Sequence, residues 1–242
     1  MKINNTDIRD HGFRVQQIHN NPLLPDFDHI TSGTIAGRTG ELYSRTQIKP
    51  KYISFEIHVE GEVEVKSEQF KRYFMDMYGK FVETLVQFDY SDKYILARLN
   101  GILPIQRHPT HGIINVELVQ LDPFSYSTSE VTVNSSTFPV RLTGPTGMWH
   151  NRPYIQFTFN ASTSDFVLTH VTTGKVVRII HSFQVGNILY IDMEEESVFK
   201  GSTNVIVDLD RTSRFFDITA GINDITTNTA GSIMIVYRPK YL

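Results

Sequence analysis

The sequence predicts a mainly β protein of two domains, the first with one amphipathic helix and the second built from strands alone. Three observations carry this reading. Period-2 alternation of apolar and polar residues recurs along the chain, one segment shows a helical period, and a polar stretch breaks the pattern near the middle.

In Tyr52–Val59 the apolar set Ile53, Phe55, Ile57 and Val59 falls on one face, with Ser54, Glu56 and His58 on the other. That alternation is what a half-exposed antiparallel strand requires. Further strands are predicted at Leu85–Asp89, Tyr94–Leu99 and Ile113–Leu121; the last sets Ile114, Val116 and Leu118 against Asn115, Glu117 and Val119. Between them Phe70, Phe74, Met77, Tyr78 and Phe81 recur at helical spacing, predicting a helix whose aromatic stripe packs on the sheet. Ser67 is its expected N-cap, with Glu68 complementing the dipole and Lys71, Arg72 and Asp76 on the wet face.

After Asp122-Pro123-Phe124 the run Ser125–Glu130 is polar, and strand character resumes only at Val131–Val133 before Asn134–Thr137. The expected organisation is an N-terminal β-sandwich-like domain over 1–126, a linker over 127–137 and a second domain over 138–242. Strands are predicted at Tyr154–Phe159, Phe166–Thr169, Val176–Ile180, Ile188–Met193, Asn204–Leu209, Phe215–Thr219 and Ser232–Tyr237, with Thr172–Lys175 as a hairpin turn. Short strands at this spacing without a helix read as a β-sandwich or jelly roll.

Composition excludes several functions. The chain is 40% hydrophobic and 20% charged, with net charge −3 and no cysteine. Disulfides, thiol nucleophiles and thiolate metal sites are therefore absent. Residues 1–126 hold 14 basic and 16 acidic side chains and the rest 9 and 10, so neither half has the positive excess of a nucleic-acid binder. The N-terminal residues lack a signal-peptide core, and no apolar run reaches the roughly 18 residues that span a bilayer, so a soluble chain made in the cytoplasm is expected.

Candidate chemistry is sparse. His108 and His111 flank a proline in a turn, where exposed loop histidines are the simpler reading than metal ligands. Asp208 and Asp210 would share a side if their strand continued, and Glu194–Glu196 form an acidic run; both are read as solvated loop charges. Gly33, Gly37 and Gly40 lack the Gly-Lys-Ser/Thr ending of a phosphate loop and are read as a loop or hairpin between strands. Trp149, the single tryptophan, stands near Tyr154; core packing is one reading and stacking on a sugar the other. No catalytic, metal or cofactor site is assigned.

Several of these segments, in order, resemble the distal tail protein (Dit) family of long-tailed bacteriophages. Ile35-Ala36-Gly37-Arg38-Thr39-Gly40-Glu41-Leu42 is similar to that family's early glycine loop, followed by the alternating strand Ile53–Val59 and one helix. Val86–Asp89, Leu118–Tyr126 with its Asp-Pro-aromatic close, Phe215–Asn223 and Ser232–Pro239 continue the resemblance, with Ala220 standing where proline is usual and Thr39 where aspartate is commoner.

The resemblance implies a homo-hexameric ring at the virion tail tip, built by the first domain around a channel for DNA and the tape measure protein. The second domain would be a galectin-like β-sandwich holding tip components. Implied partners are the chain itself, the major tail tube protein, the tape measure protein, a tail-associated tip protein and a receptor-binding protein. Sequence-specific nucleic acid and membrane are not among them. A cyclic ring needs two different complementary patches per subunit, and Ile35, Gly37, Arg38, Gly40, Leu42, Lys71 and Arg72 are the candidate interface residues. The alternatives are a carbohydrate-binding host-adhesion module using Trp149 and Tyr154, and, more remotely, a glycan hydrolase using Asp208 and Asp210.

Overall fold

The computed structural model describes residues 1–22, 24–34, 41–89, 92–102, 106–107 and 111–242, with side chains except at 31–34, 41–44, 102 and 107. It forms two compact units, Met1–Ser125 (joined by Leu242) and Tyr126–Tyr241.

In the first unit the longest ladder pairs His111–Gln120 with Lys51–Glu60 antiparallel over ten residues, from His111 opposite Glu60 to Gln120 opposite Lys51. The alternation read in the sequence sets this register: Ile53, Phe55 and Ile57 lie opposite Leu118, Val116 and Ile114, all buried on one face. The ladder runs Thr6–Asp7, Lys2–Ile3, Thr84–Gln87, Lys93–Ile102, His111–Gln120, Lys51–Glu60, Phe13–Asn20. Thr84–Gln87 and Lys51–Glu60 are three strand spacings apart, about 14 Å in a flat sheet. Yet Phe88 meets Phe55 edge-on with centroids 5.8 Å apart. The ladder therefore curls until its halves share one core, joining Ile3 and Val86 to Phe55, Val116 and Phe70.

The helix covers this core but differs from the sequence expectation. It spans Val63–Arg72, with Glu62 at the N-cap position and Ser67 buried in its interior. Phe70 and Phe74 are buried as expected, Phe70 lying 5.6 Å from both Phe13 and Phe74. Met77, Tyr78 and Phe81 are not helical and stand exposed. The competing structure is a tight turn. Asp76 Oδ1 accepts from the amides of Tyr78 and Lys80, Gly79 has φ +78°, and Val82 N–H donates to Phe74 C=O. A local carboxylate bond to the backbone offers an alternative to the next helical turn. At the other end, a Cβ on Gly112 would lie 2.1 Å from Val63 Cγ2, so glycine admits the helix to the sheet.

Phe27–Thr34 and Glu41–Ile48 form a two-stranded antiparallel hairpin of their own. Ile35, Gly37, Arg38 and Gly40 lie outside the described residues, as do His108 and the side chain of Leu42.

The second unit stacks two antiparallel sheets. One runs Val131–Ser135, Gly231–Tyr237, Tyr154–Phe159, Ile188–Asp192, Ser197–Lys200, Thr203–Asn204; the other runs Val140–Gly144, Gly221–Thr227, Phe166–His170, Lys175–Ile179. Ile155, Phe157 and Phe159 from the first share a core with Phe166, Leu168, Val177 and Ile225 from the second. Phe157 and Phe166 approach to 4.8 Å between centroids, and Phe159 stacks on Phe183 at 4.4 Å.

Three expectations are corrected here. The stretch 127–137 holds a strand, Val131–Ser135, paired along its length with the last long strand, so a sheet edge stands where a linker was expected. Asn204–Leu209 is not a strand: Thr203–Asn204 ends the sheet and Ile206–Asp208 is a 3-10 turn, opened by Asn204 Oδ1 accepting from Ile206 N–H. Phe215–Thr219 contributes only the bridge Ile218–Asn151, burying Phe216 and Ile218 from an irregular path.

Candidate binding surfaces

The outer face of the six-stranded sheet is the most unusual surface of the second unit. Strand alternation turns Tyr154, Gln156 and Thr158 outward while Ile155, Phe157 and Phe159 enter the core. Register then lines up one outward row across all six strands: Asn134, Met234, Gln156, Tyr190, Phe199, Asn204. A second row carries Thr132, Val236, Tyr154, Asp192 and Ser197, and a third Ser232, Thr158 and Ile188. Asp192 is the one formally charged member of these rows, although 20% of the chain is charged.

Two depressions indent this face. One of about 410 Å³ is lined by Asn134, Ser135, Ser136, Gln156, Thr158 and Ser232 among others. The other, about 310 Å³, is lined by Tyr154, Tyr190, Asp192, Ser197, Phe199 and Gly201. Tyr154 and Tyr190 lie 6.2 Å apart with ring planes 27° from parallel, forming a shelf at the second depression. Burial, followed by the neighbouring Tyr190 and Asp192, raises the Tyr154 phenol above its ordinary value, so the ring stays neutral. Asp192 Oδ1 is engaged by the amides of Glu194 and Glu195 and holds the turn that carries the acidic run.

The two residues expected to bind sugar have different settings. Tyr154 belongs to this face, whereas Trp149 lies before the first bridge of the strand, its ring against His150 at 5.0 Å and its N–H donating to Lys240 C=O. Tyr190, Phe199 and Gln156 were not singled out in the sequence. Their outward positions in alternating strands were readable, but their alignment into one row depends on register.

In the first unit Lys71 pairs with Glu68, and Arg72 lines a cleft of about 860 Å³ with His11, Phe13, Glu60, Lys66 and Tyr73. Lys66 Nζ crosses it, 5.4 Å above the Phe13 ring, to donate to His11 C=O at 2.7 Å. His111 faces His58 at 5.1 Å between centroids. Among the described residues no group of three or more His, Cys, Asp or Glu is placed to hold a metal ion. Among those residues, too, no helix is long and apolar enough to cross a membrane.

Asp208 and Asp210 are not brought together as an acid–base pair. Asp208 meets His181 Nδ1 at 2.8 Å, whereas Asp210 caps the amide and hydroxyl of Thr212 and faces Arg178. Their 3-10 turn separates what a continuous strand would have aligned.

Residues 146–241 match the family model described as the siphovirus-type tail component, C-terminal domain. The Dit protein of phage SPP1, described as a paradigm of the hub adsorption apparatus in phages infecting Gram-positive bacteria, is similar over 99% of this chain and 98% of its own, at 14% identity and TM-score 0.80. Two structures of the phage P2 baseplate in its activated conformation, with calcium and with strontium, align over 98% and 96% of this chain and 92% of each matched chain. Their identities are 11% and 12% and their TM-scores 0.49 and 0.46. No curated protein sequence matches. The second unit is a siphovirus-type tail component domain, and the chain as a whole has the fold of SPP1 Dit; together these findings support a Dit family protein, a structural component of a phage tail.

Proposed function

We propose that this tail component is the structural hub of a phage tail tip: six copies form a closed ring joining the tail tube to tip or baseplate proteins, around a passage for DNA and the tape measure protein. The observation that carries the reading is a tail-component domain at 146–241 within a chain that has the Dit fold over nearly its whole length. A ring role asks for no catalytic group, and the separate engagements of Asp208 and Asp210 are consistent with that.

A head-to-tail ring also needs two unlike patches on each copy. The first unit offers the outer strand Phe13–Asn20, which ends the ladder with Ile18 43% exposed, and the cleft bounded by Arg72 and Lys66. The two-stranded hairpin that carries Leu42 is a third. The slightly acidic composition suits a wall that passes DNA without gripping it.

Light scattering after size exclusion, with negative-stain images, tests the ring. Six-copy particles with a central hole are expected, either for the chain alone or on co-expression with the tube and tip proteins encoded beside it. A monomer under both conditions overturns the reading.

A further inference from the structure

We propose that the outer face of the six-stranded sheet in the second unit is a binding site for an uncharged oligosaccharide, with Tyr154, Tyr190 and Phe199 as its stacking shelf and Gln156 at its centre. A solvated sheet face ordinarily carries Lys, Glu and Arg, and this one carries a single carboxylate already committed to a turn. What it offers instead is a band of neutral amides and hydroxyls (Asn134, Ser135, Ser136, Gln156, Thr158, Ser232) leading into neutral aromatic rings. A pyranose has the matching chemistry. Its C–H face packs on an aromatic ring, and its hydroxyls both donate to and accept from amide and hydroxyl side chains.

The geometry extends the match along one line. The row Asn134, Met234, Gln156, Tyr190, Phe199 crosses the strands at about 4.8 Å per step. Gln156 lines the first depression and Tyr190, its direct cross-strand neighbour, lines the second. The two depressions thus adjoin, and a chain of several sugar units lies across both. Absence of formal charge argues for a neutral glycan over an anionic one, for which no Lys or Arg lines either depression. A protein partner would instead favour a continuous apolar centre, and here Met234 is flanked by Asn134 and Gln156 in its row.

The inference rests on the second unit and is independent of the ring. A monomeric chain that binds sugar retains it and overturns the ring; a hexamer that binds none does the reverse.

The test uses the full chain and a soluble panel of cellohexaose, maltohexaose, laminarihexaose and a rhamnose trisaccharide, titrated by calorimetry. At least one is expected to bind in about the millimolar range or tighter. Tyr190→Ala and Gln156→Ala should each weaken that binding, Tyr190→Ala by about tenfold, the loss of one aromatic stack. Melting profiles are expected to match the parent, and Trp149→Phe should bind as the parent does. No binding by any panel member overturns the proposal. So does binding that survives both substitutions, or binding lost only with Trp149→Phe. Protection of this face from labelling only when tail proteins are co-assembled, with no sugar bound, assigns it to a protein partner and also overturns it.

Discussion

The imidazole of His170 lies nearly parallel to the ring of Phe216, 11° from coplanar with centroids 5.0 Å apart. The histidine is fully buried, and its Nδ1 is 2.6 Å from Thr173 Oγ1 at the end of a hairpin strand. Burial is the main cause that holds its pKa below the ordinary histidine value, with Lys175 acting in the same direction and Asp217 and Asp224 against it.

A pH dependence follows. The unfolded chain takes up a proton on this histidine near pH 6.5, whereas the folded chain resists it to lower pH. Stability contributed by neutral His170 is full above about 6.5 and is lost as pH falls through the window towards the lowered folded pKa. Urea unfolding of the second unit should give a lower midpoint at pH 5.5 than at 7.5. His170→Asn, uncharged throughout, should show a smaller drop; an equal drop would assign the acid sensitivity elsewhere.

Asn223 closes the turn before the strand Gly221–Thr227. Its Oδ1 accepts from Thr219 N–H, and its Nδ2 donates to the carbonyls of Thr219 and Gly221 at 2.8 and 2.9 Å. The side chain is buried, so Asn223→Ala strands three backbone groups and should cost about 2–3 kcal/mol. Asn223→Asp should cost at least as much, since the carboxylate would face two carbonyls. Denaturant midpoints with unchanged slope would check both.

The aromatic stripe read in the sequence divides in two, and mutation should expose the division. Phe70 and Phe74 are buried, whereas Met77 and Tyr78 are 88% and 78% exposed. Phe70→Ala should destabilise by about 3–5 kcal/mol, and Met77→Ser and Tyr78→Ser by no more than about 0.5 kcal/mol. Parallel melts of the three variants give the comparison. If the ring forms as proposed, the exposed pair is also a cheap place to probe assembly without disturbing the fold.

Two glycines should respond oppositely to alanine. A Cβ on Gly231 would lie 2.4 Å from the Phe157 ring and from Thr158 C=O, so Gly231→Ala is expected to cost about 1–3 kcal/mol of strain. Gly101 has nothing within 4 Å of the same position, and Gly101→Ala should be neutral or gain about 0.5 kcal/mol through the unfolded chain. Thermal melts in one buffer suffice.

The mainly β class and most of the long strands were legible in the residues themselves. Alternation in Tyr52–Val59, Ile113–Leu121 and Tyr154–Phe159 is imposed by the two-residue repeat of the strand, which any tertiary setting must respect. Segments that depart from a period were read less well. Gly221–Thr227 is a strand despite Gly, Asn and Asp, because Asn223 is buried in hydrogen bonds that its neighbours supply. Phe215–Thr219 alternates yet is irregular, its apolar side chains reaching the core without a ladder.

What the sequence determined alone, then, was the fold class, the inward faces of its main strands and the lack of cysteine chemistry. The tertiary structure decided the end of the helix, the edge strand at Val131–Ser135 and the row from Asn134 to Asn204. Alternation tells each strand which side chains face outward, but it cannot say which strand lies beside which. Gln156 and Tyr190 are neighbours because long-range backbone pairing set their strands in register, and that pairing has no signature in either segment by itself.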